Sequence, residues 1–308
     1  MAIIESIVFV LGWIMVYKLC IKVFTYGYAL WFCKGHDIVK RYGHGSWALV
    51  TGSTDGIGMC FSQQLAKRGY NVIVSGRNAE KVEKRVKELE IAYPKVQVKG
   101  IVVDFSKCDQ PGFIDNIRKK LIGLDISLLV NNVSTIRYEN VGDLTDENII
   151  YTVKLNCINH ALLLNHFLPY FKRRGVRSAI IDVCSLHSLR PYGKLELQSA
   201  IKAYNRALTL SVELAENYTN VDMLCLMPGW TKTNMLPDLK MTPINALPED
   251  VVNGALRDLG YFKESFGAHK HYLNCIIMEL CEFLLPFPWG DKAIKVIENK
   301  LRTMETKN

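Results

Sequence analysis

Three glycines follow a short apolar run and stand where a strand would turn sharply into a helix. They are Gly52, Gly56 and Gly58, within 51-TGSTDGIG-58. Glycine lets a backbone turn tightly, approach a pyrophosphate closely and pack a helix against a sheet. The spacing predicts a turn that holds the phosphates of a dinucleotide, and a turn that binds nothing is the alternative. The other residues predicted to lie beside the phosphates are Ser53, Asp55 and Ile57.

The residues after the second predicted strand indicate which dinucleotide the turn would hold. An acidic side chain there would accept hydrogen bonds from the ribose 2′-hydroxyl of NAD. This chain has 75-SGRN-78 instead, and Arg77 can form a charge-assisted contact with the 2′-phosphate of NADP. We therefore expect NADP(H) as the cofactor, with a solvated loop arginine as the alternative.

The elements that must position this turn form an alternating series. From Ser46 to Gly229, short β-branched apolar runs alternate with longer amphipathic stretches, which is typical of βαβ units around a parallel sheet. The predicted strands cover 47–52, 71–76, 98–105, 126–132, 178–185 and 221–229, and the predicted helices lie near 56–69, 78–92, 111–121, 146–173 and 196–217. The predicted fold class is α/β, a Rossmann-type doubly wound parallel sheet with an N-terminal membrane anchor.

An apolar segment precedes the alternating region. Residues 3–21 carry only Glu5 and Lys18 as charges and are long enough to cross a hydrocarbon core of roughly 30 Å. The apolar and aromatic character continues, so we expect residues 3–33 to engage a lipid bilayer. Basic residues follow, which places the main domain on the cytosolic side, or on the matrix side of a mitochondrial membrane. A helix buried in a partner protein is the alternative.

Composition argues against several other functions. The formal charge of +8 comes from basic residues that are scattered rather than striped with aromatic ones, so no nucleic-acid partner is expected. The nine cysteines include no CxxC pair, which favours free thiols in a reducing compartment and no zinc site. His269 and His271 have no third ligand nearby in the sequence, and no metal is expected.

Several motifs stand in one characteristic order along residues 46–235. They are TGSTDGIG (51–58), VVDF (102–105), NNVS (131–134), Asn156 in KLN, Ser185, Lys202 and PGWTKTN (228–234). Together they resemble the short-chain dehydrogenase/reductase family. The N-terminal apolar segment and the GSTDGIG and NNV wording are similar to its membrane-bound branch of 17β-hydroxysteroid dehydrogenases and very-long-chain 3-oxoacyl-CoA reductases. That branch implies reduction of a keto group on a lipophilic substrate with hydride from NADPH.

The resemblance implies a role for each matching residue. In the family, a tyrosine donates a proton to the carbonyl oxygen, a serine steadies that oxygen, and a lysine holds the nicotinamide ribose. An asparagine that distorts the backbone of the preceding long helix supports a proton relay through water. Asn156, Ser185 and Lys202 match the asparagine, the serine and the lysine. The further cofactor positions implied are Asp104 and Phe105 for the adenine, Thr233 for the nicotinamide carboxamide, and Asn132, Pro228 and Gly229.

A glutamine occupies the tyrosine position. Gln198 lies thirteen residues after Ser185 and four before Lys202, and both spacings identify the same position. A carboxamide donates hydrogen bonds but has no proton to release near neutral pH. General acid catalysis contributes on the order of 10²–10⁴ in rate, so we expect little turnover. Ser134 is a second departure, because the family has glycine there, where a side chain would crowd the nicotinamide pocket.

Two other side chains could supply the missing acid. His187 lies two residues past Ser185, and Tyr192 lies on the loop that leads to the next predicted helix. Histidine has a suitable pKa for proton transfer. Tyr204 is a poorer candidate, since it lies two residues beyond Lys202 and would face away on a helix.

The last third of the chain is expected to cover the substrate and meet the membrane. Residues 230–247 are rich in Met, Leu and Pro, which suggests a mobile segment over a lipophilic ligand. Apolar residues between 273 and 284 follow helical spacing over too short a length to span, which predicts an interfacial helix, a partner contact or a core helix. The predicted units are 1–45 as anchor, 46–262 as NADP(H)-binding domain and 263–308 as amphipathic extension.

Two functions of different classes remain open. The first is a membrane-anchored NADPH-dependent reductase of 3-oxoacyl-CoA or 17-ketosteroids that uses a substitute acid. The second is a nucleotide-binding or scaffold subunit with little turnover, which the missing tyrosine favours; the family includes inactive hydroxysteroid dehydrogenase-like members with this tyrosine replaced. The protein would form a homodimer or join a larger membrane assembly. We expect it in the endoplasmic reticulum membrane with a cytosolic main domain, or alternatively in the mitochondrial inner membrane.

Overall fold

A parallel sheet of seven strands forms the centre of the computed structural model, which describes residues 2–214, 216–236, 238–285, 292 and 296. The strands are β1 Trp47–Val50, β2 Asn71–Gly76, β3 Val98–Val102, β4 Ile126–Asn131, β5 Ser178–Val183, β6 Val221–Leu226 and β7 Glu264–Ser265. Their order is β3-β2-β1-β4-β5-β6-β7, and all neighbours are parallel. The predicted doubly wound α/β sheet is confirmed. The chain order reverses between β1 and β4, where such sheets bind ligands beyond the carboxyl ends of their strands.

Helices cover both faces of the sheet. The α-helices of the described residues are α1 Ala2–Gly27, α2 Ile38–Tyr42, α3 Gly56–Lys67, α4 Ala79–Ala92, α5 Phe113–Leu121, α6 Asp146–Val153, α7 Asn159–Arg173, α8 Glu196–Leu214, α9 Pro248–Asp258 and α10 His269–Leu284. Two π-turns lie at Tyr28–Phe32 and Lys154–Ile158, and short 3₁₀ turns lie at Phe105–Lys107, Val141–Asp143, Leu186–Ser188 and Glu216–Tyr218.

The core has two layers, because successive side chains of a strand point to opposite faces of the sheet. Ala48 and Val50 of β1 belong to the layer that packs against α3 and α9. Leu49, between them, belongs to the layer that contains the buried Leu163 and Phe167 of α7. Both faces of the central strands are therefore buried, which explains why these strands read as continuous apolar runs.

The structure differs from the predicted elements in three places. The predicted helix 146–173 is broken by the π-turn Lys154–Ile158. Several strands end two or three residues earlier than predicted, since the chain leaves the sheet to form loops at its carboxyl edge. The strand β7 was not predicted, and it adds residues beyond position 262 to the sheet. The domain boundaries stay predictions, and the predicted C-terminal extension lies partly outside the described residues.

The N-terminal helix is long, apolar and uncovered. The stretch Ile4–Phe32 has 29 residues, and its most apolar 18-residue part has a mean hydropathy of 2.1 and is not buried. At about 1.5 Å per residue, a helix of this length can cross a hydrocarbon core of roughly 30 Å. By length and composition, the predicted anchor is thus a possible membrane span.

The joint between this helix and the sheet domain is short and packed. Cys33, directly after the π-turn, donates from its thiol to the carbonyl oxygen of Arg257 at 3.6 Å. His36 stacks on Tyr261 with a centroid distance of 4.0 Å. Gly35 has a φ of +79°, and a side chain there would meet the backbone of Arg257 at 3.0 Å. The helix is therefore connected to the domain through fixed contacts.

Candidate active site

The glycine turn has the geometry that the sequence predicts. Gly52 and Gly56 have φ values of +64° and +55°, in the left-handed region that glycine adopts without strain. A Cβ on Gly58 would lie 2.5 Å from both the carbonyl oxygen of Gly52 and the side-chain nitrogen of Asn132. The turn leads into α3, whose N-terminus suits a phosphate because its N–H groups and dipole favour negative charge. The residues present therefore fit a pyrophosphate.

Asn132 and Thr51 hold the turn in place at the point where β1 and β4 end. The Asn132 side chain donates to the carbonyl oxygens of Thr51 at 2.8 Å and Gly52 at 3.3 Å. The Thr51 hydroxyl oxygen accepts from the backbone N–H groups of Asn132 and Val133. In the structure, Asn132 thus stabilises the shape of the turn through these two hydrogen bonds.

The other predicted turn residues differ in their surroundings. Ser53 is buried, and its hydroxyl oxygen accepts from the backbone N–H of Ser75 at 2.7 Å, which ties the turn to β2. Asp55 caps α3 by accepting from the Gly56 N–H at 2.6 Å. Ile57 is partly buried and packs on the core. Only Asp55 of these three has its side chain at the mouth of α3.

The 228–234 loop closes over the glycine turn. A Cβ on Gly56 would lie 3.3 Å from the methyl carbon of Thr233. Asn234 donates to the carboxylate of Asp55 at 2.8 Å. Pro228 and Gly229 begin this loop after β6, and the Pro228 carbonyl oxygen accepts from the Leu186 N–H. The structure therefore places Thr233 beside the glycine turn. Its implied contact with the nicotinamide carboxamide stays a prediction.

Two arginines stand beyond the carboxyl end of β2. Arg77 is exposed, and its guanidinium donates to the Tyr151 hydroxyl at 3.4 Å. Arg85 of α4 donates to the carbonyl oxygen of Thr54, within the glycine turn, at 3.4 Å, and forms an ion pair with Glu88. Arg85 was not predicted. The sequence feature that could have identified Arg85 is its position three residues after the buried Val82, on the inner side of α4.

The predicted adenine contacts follow β3. Asp104 caps a 3₁₀ turn, with one carboxylate oxygen accepting from the N–H and the hydroxyl of Ser106 at 3.1 and 2.7 Å. The ring of Phe105 is buried and meets Phe113 edge-on at 6.2 Å between centroids. Phe105 therefore packs in the core below the edge of the sheet, and Asp104 is the more accessible of the pair.

The serine and lysine positions flank the end of β5. Ser185 follows β5 in extended backbone, and its hydroxyl oxygen accepts from the His187 N–H at 3.2 Å. The Lys202 ammonium donates to the Val183 carbonyl oxygen at 2.9 Å and is buried. Burial lowers the pKa of Lys202, and the nearby Cys184 acts in the opposite direction. Lys202 is therefore buried and bonded to β5 two residues before Ser185.

Gln198 lies one helical turn before Lys202 on α8, which packs against the 3₁₀ turn Leu186–Ser188. The Gln198 side chain is only 5% exposed. Its amide oxygen is buried and has no hydrogen-bond partner within the described part of the chain. A buried acceptor without a partner costs free energy, so this oxygen indicates a place for a donor from a bound molecule or water.

Asn156 is the centre of the π-turn. Its side chain donates to the Thr152 carbonyl oxygen at 2.8 Å and accepts from the Thr135 N–H at 3.2 Å. Ser134, where the family has glycine, donates to the Asn156 amide oxygen at 2.5 Å. The main-chain carbonyl of Asn156 accepts from Asn205 at 3.0 Å. The Ser134 hydroxyl is thus bonded to Asn156, and Asn205 is a positioning residue that the sequence did not indicate.

His187 and Tyr192, the two candidates for a substitute acid, lie together in an aromatic cluster. The rings of His187 and Tyr192 have centroids 5.1 Å apart, and Trp230 lies 5.3 Å from His187. Tyr138 stacks on Trp230 at 6.2 Å. The cluster borders a small cavity that is also lined by Leu186, Arg190, Gly229, Asn274 and Met278. Tyr204 is 46% exposed and does not line this cavity.

No group of three His, Cys, Asp or Glu side chains in the described part of the chain is arranged to hold an ion. His271 is buried, with its two ring nitrogens near the carbonyl oxygens of Phe266 and Trp230 at 3.3 and 3.2 Å. This histidine therefore joins α10 to the loop that carries Trp230.

Comparisons with known proteins agree with this geometry. Residues 46–243 match the family model described as short chain dehydrogenase. The chain is 30% identical over 252 residues to the very-long-chain 3-oxoacyl-CoA reductase-A of Danio rerio, covering 80% of this chain and 76% of that protein. It is 31% identical over 251 residues to the hydroxysteroid dehydrogenase-like protein 1 of Gallus gallus, covering 79% and 73%.

Solved structures share the fold. A 7beta-hydroxysteroid dehydrogenase superposes with a TM-score of 0.72 at 23% identity, over 85% of this chain and 100% of that one. A short-chain dehydrogenase from Sphingobium yanoikuyae, solved in complex with NADPH, has a TM-score of 0.66 at 19% identity, over 85% and 99%. At these identities, the superpositions establish the architecture.

Proposed function

Because the chain belongs to the short-chain dehydrogenase family, we propose that it is a membrane-anchored member that binds NADP(H) and has little or no turnover of its own. The observation that carries this proposal is Gln198. It is buried on α8 one turn before Lys202, where the family's reaction needs a proton donor. A carboxamide holds a carbonyl oxygen by hydrogen bonding but cannot protonate it.

The nucleotide half of the proposal rests on the glycine turn. Gly52, Gly56 and Gly58 leave the N-terminus of α3 open to a pyrophosphate. Arg77 follows β2 and Arg85 contacts the glycine turn, and their positive charges would suit a ribose 2′-phosphate, which supports NADP(H) over NAD(H). Bound NADPH would supply a hydride.

The reaction half of the proposal rests on the proton balance. A ketone that accepts hydride becomes an alkoxide, and its negative charge must be neutralised. Ser185 can donate one hydrogen bond to that oxygen. The Lys202 ammonium is directed at the Val183 carbonyl oxygen. These residues can bind and orient a keto group, while the proton has no donor at position 198.

The membrane location in the proposal rests on α1. The stretch Ile4–Phe32 is long enough to span, and none of its most apolar part is buried. Lys22, Lys34, Lys40 and Arg41 follow the most apolar part, which favours a cytosolic sheet domain. We place the protein in the endoplasmic reticulum membrane, with the mitochondrial inner membrane as the other location.

A second candidate function has its own observation. His187 lies between Tyr192 and Trp230 beside a cavity, two residues from Ser185. A histidine in this place could protonate the carbonyl oxygen instead of the missing tyrosine. The protein would then be an active reductase, and 3-oxoacyl-CoA and 17-ketosteroids are the substrate classes that its relatives' chemistry suggests.

A binding and turnover assay on the full chain in detergent distinguishes these functions. NADPH and NADH affinities are measured by fluorescence, followed by single-turnover reduction of a long-chain 3-oxoacyl-CoA and a 17-ketosteroid. We expect NADPH binding, near-background turnover, and at least a tenfold gain in Gln198→Tyr. If the unmodified protein turns over briskly and His187→Ala abolishes this turnover, the second candidate is established. Absence of NADPH binding refutes both.

A further inference from the structure

The end of α1 and the helix α10 lie side by side. The Lys22 ammonium forms an ion pair with Glu279 at 2.5 Å. One turn further along α1, the Tyr26 hydroxyl lies 3.9 Å from the Cys275 sulfur, and the Tyr26 ring meets Tyr272 at 5.5 Å. Later residues of α1 thus contact earlier residues of α10.

The same sequence of contacts continues beyond both helices. Tyr28 meets Phe262 edge-on, with centroids 6.3 Å apart. Cys33 donates to the carbonyl oxygen of Arg257. Partners of residues 22–33 therefore run from residue 279 back to residue 257, with Tyr26 contacting both Cys275 and Glu279, which indicates an antiparallel arrangement.

An antiparallel α10 returns toward the membrane. If α1 leaves the bilayer near Lys22, then residues of α10 before Glu279 lie on the domain side of that level, and those after it lie on the bilayer side. Leu285 is six residues past Glu279, which corresponds to roughly 9 Å at the helical rise. Leu273 is six residues before it, about 9 Å the other way. Leu285 and Leu273 are 38% and 49% exposed, so both are open to their surroundings.

A different face of α10 lines the cavity beside the aromatic cluster. Asn274 and Met278 each precede a residue that contacts α1, and they lie about 100° from it around the helix. Both are buried, and both border the cavity with His187, Tyr192 and Trp230. The helix α10 thus contacts α1 on one face and the candidate active site on another.

We infer that α10 is a second membrane contact whose C-terminal end enters the cytosolic side of the bilayer, and that its Asn274–Met278 face borders a route from the bilayer to the cavity. The occupant of the α10 end is the lipid bilayer, because the helix runs along the membrane-spanning candidate. The ligand class is a membrane-dissolved molecule with a hydrocarbon chain. This inference rests on the proposed function in placing α1 across a membrane.

Photocrosslinking in lipid nanodiscs tests the membrane contact. The photoreactive residue p-benzoylphenylalanine replaces Ile14, Leu273 or Leu285 in the full chain, and phospholipid adducts are counted by mass spectrometry. We expect adducts at Ile14 and Leu285, and at most a tenth as many at Leu273. Adducts at Ile14 without adducts at Leu285 overturn the inference while the anchor stands. Absence of adducts at both Ile14 and Leu285 overturns the anchor and the inference together.

A second experiment tests the route. A fatty acid that carries a mid-chain diazirine is dissolved in the nanodisc lipid and photolysed, and its adducts on the peptide that contains Trp230 are counted. Met278→Trp should lower these adducts at least fivefold, and Asn274→Phe should act in the same direction. Leu273→Trp, on the outer face of α10, should leave them unchanged.

The outcomes separate this inference from the proposed function. NADPH affinity is measured for each variant in the same nanodiscs, so that a misfolded variant is identified by loss of nucleotide binding. Full labelling in Met278→Trp and Asn274→Phe, with NADPH still bound, overturns the route. Loss of NADPH binding by the unmodified protein overturns the proposed function and leaves the lipid adducts as a separate result.

Discussion

The side chain of Asn205 on α8 donates a hydrogen bond to the main-chain carbonyl oxygen of Asn156 at 3.0 Å. A π-turn leaves carbonyl groups of the helix without their usual partners, and Asn205 satisfies one of them. The helix that carries Gln198 and Lys202 therefore also holds the turn around Asn156. The two helices that frame the candidate site are thereby fixed relative to each other.

Asn205→Ala should destabilise the protein, because it leaves the buried Asn156 carbonyl without this donor. We expect a loss of about 1–3 kcal/mol in the free energy of unfolding. Chemical denaturation of the full chain in detergent measures it. Tyr204→Ala, at the exposed neighbouring position, should change stability by only about 0.5 kcal/mol. Equal effects of the two substitutions would show that the hydrogen bond contributes nothing.

Gly58→Ala should abolish tight nucleotide binding. The new Cβ would lie 2.5 Å from the Gly52 carbonyl oxygen, so the backbone of the turn must move. We expect NADPH affinity to fall at least tenfold, measured by fluorescence titration. Gly175→Ala is the matched control, since a Cβ there meets nothing within 4 Å. Unchanged NADPH affinity in Gly58→Ala would contradict the placement of the phosphates on this turn.

Arg77→Ala should weaken NADPH binding and leave NADH binding nearly unchanged. Loss of one charge-assisted phosphate contact costs about 1.5–3 kcal/mol, which corresponds to a factor of roughly 10–100 in affinity. Arg85→Ala is tested in parallel, because Arg85 contacts the glycine turn. Arg118→Ala, on the exposed surface of α5, serves as the control. An equal loss of affinity for NADPH and NADH would mean that neither arginine contacts the 2′-phosphate.

Lys202→Met should raise the melting temperature near neutral pH. Burial lowers the pKa of Lys202 below the ordinary lysine value of about 10.4, so folding favours the neutral amine. At pH values below the folded pKa, the folded state bears the cost of a buried charge, and this cost fades as the pH rises toward the unfolded value. The advantage of the variant should therefore shrink between neutral pH and pH values near 10.

Thermal unfolding of both proteins across this pH range measures the difference. Lys81→Met, on the exposed surface of α4, should show no such trend. An advantage that grows with pH would reverse the assigned sign and indicate that Lys202 is stabilised in its charged form.

Much of the central fold could be predicted from the sequence because its strands are buried on both faces. Runs such as those of β1 and β4 have no polar face, and the glycine turn follows β1 directly. Gln198 could be placed because two independent spacings, to Ser185 and to Lys202, identify one position. These features depend on local sequence alone.

Other features depend on contacts between distant parts of the chain. The strand β7 has two residues, too few for a periodic pattern, and it forms only by pairing with β6. The π-turn at Asn156 has the same apolar spacing as an α-helix over one turn, so periodicity cannot reveal it. Arg85 and Asn205 act across 31 and 49 residues of sequence, and only the folded chain shows their partners.

The packed joint at residues 33–36 has a mechanical consequence. Cys33 and Gly35 lie against Arg257 and His36 stacks on Tyr261, so α1 is joined to the sheet domain by direct contacts. If α1 spans a membrane, a tilt of α1 should rotate the sheet domain with it relative to the bilayer surface. The thickness of the host membrane would then set the angle at which the cofactor edge faces the aqueous phase.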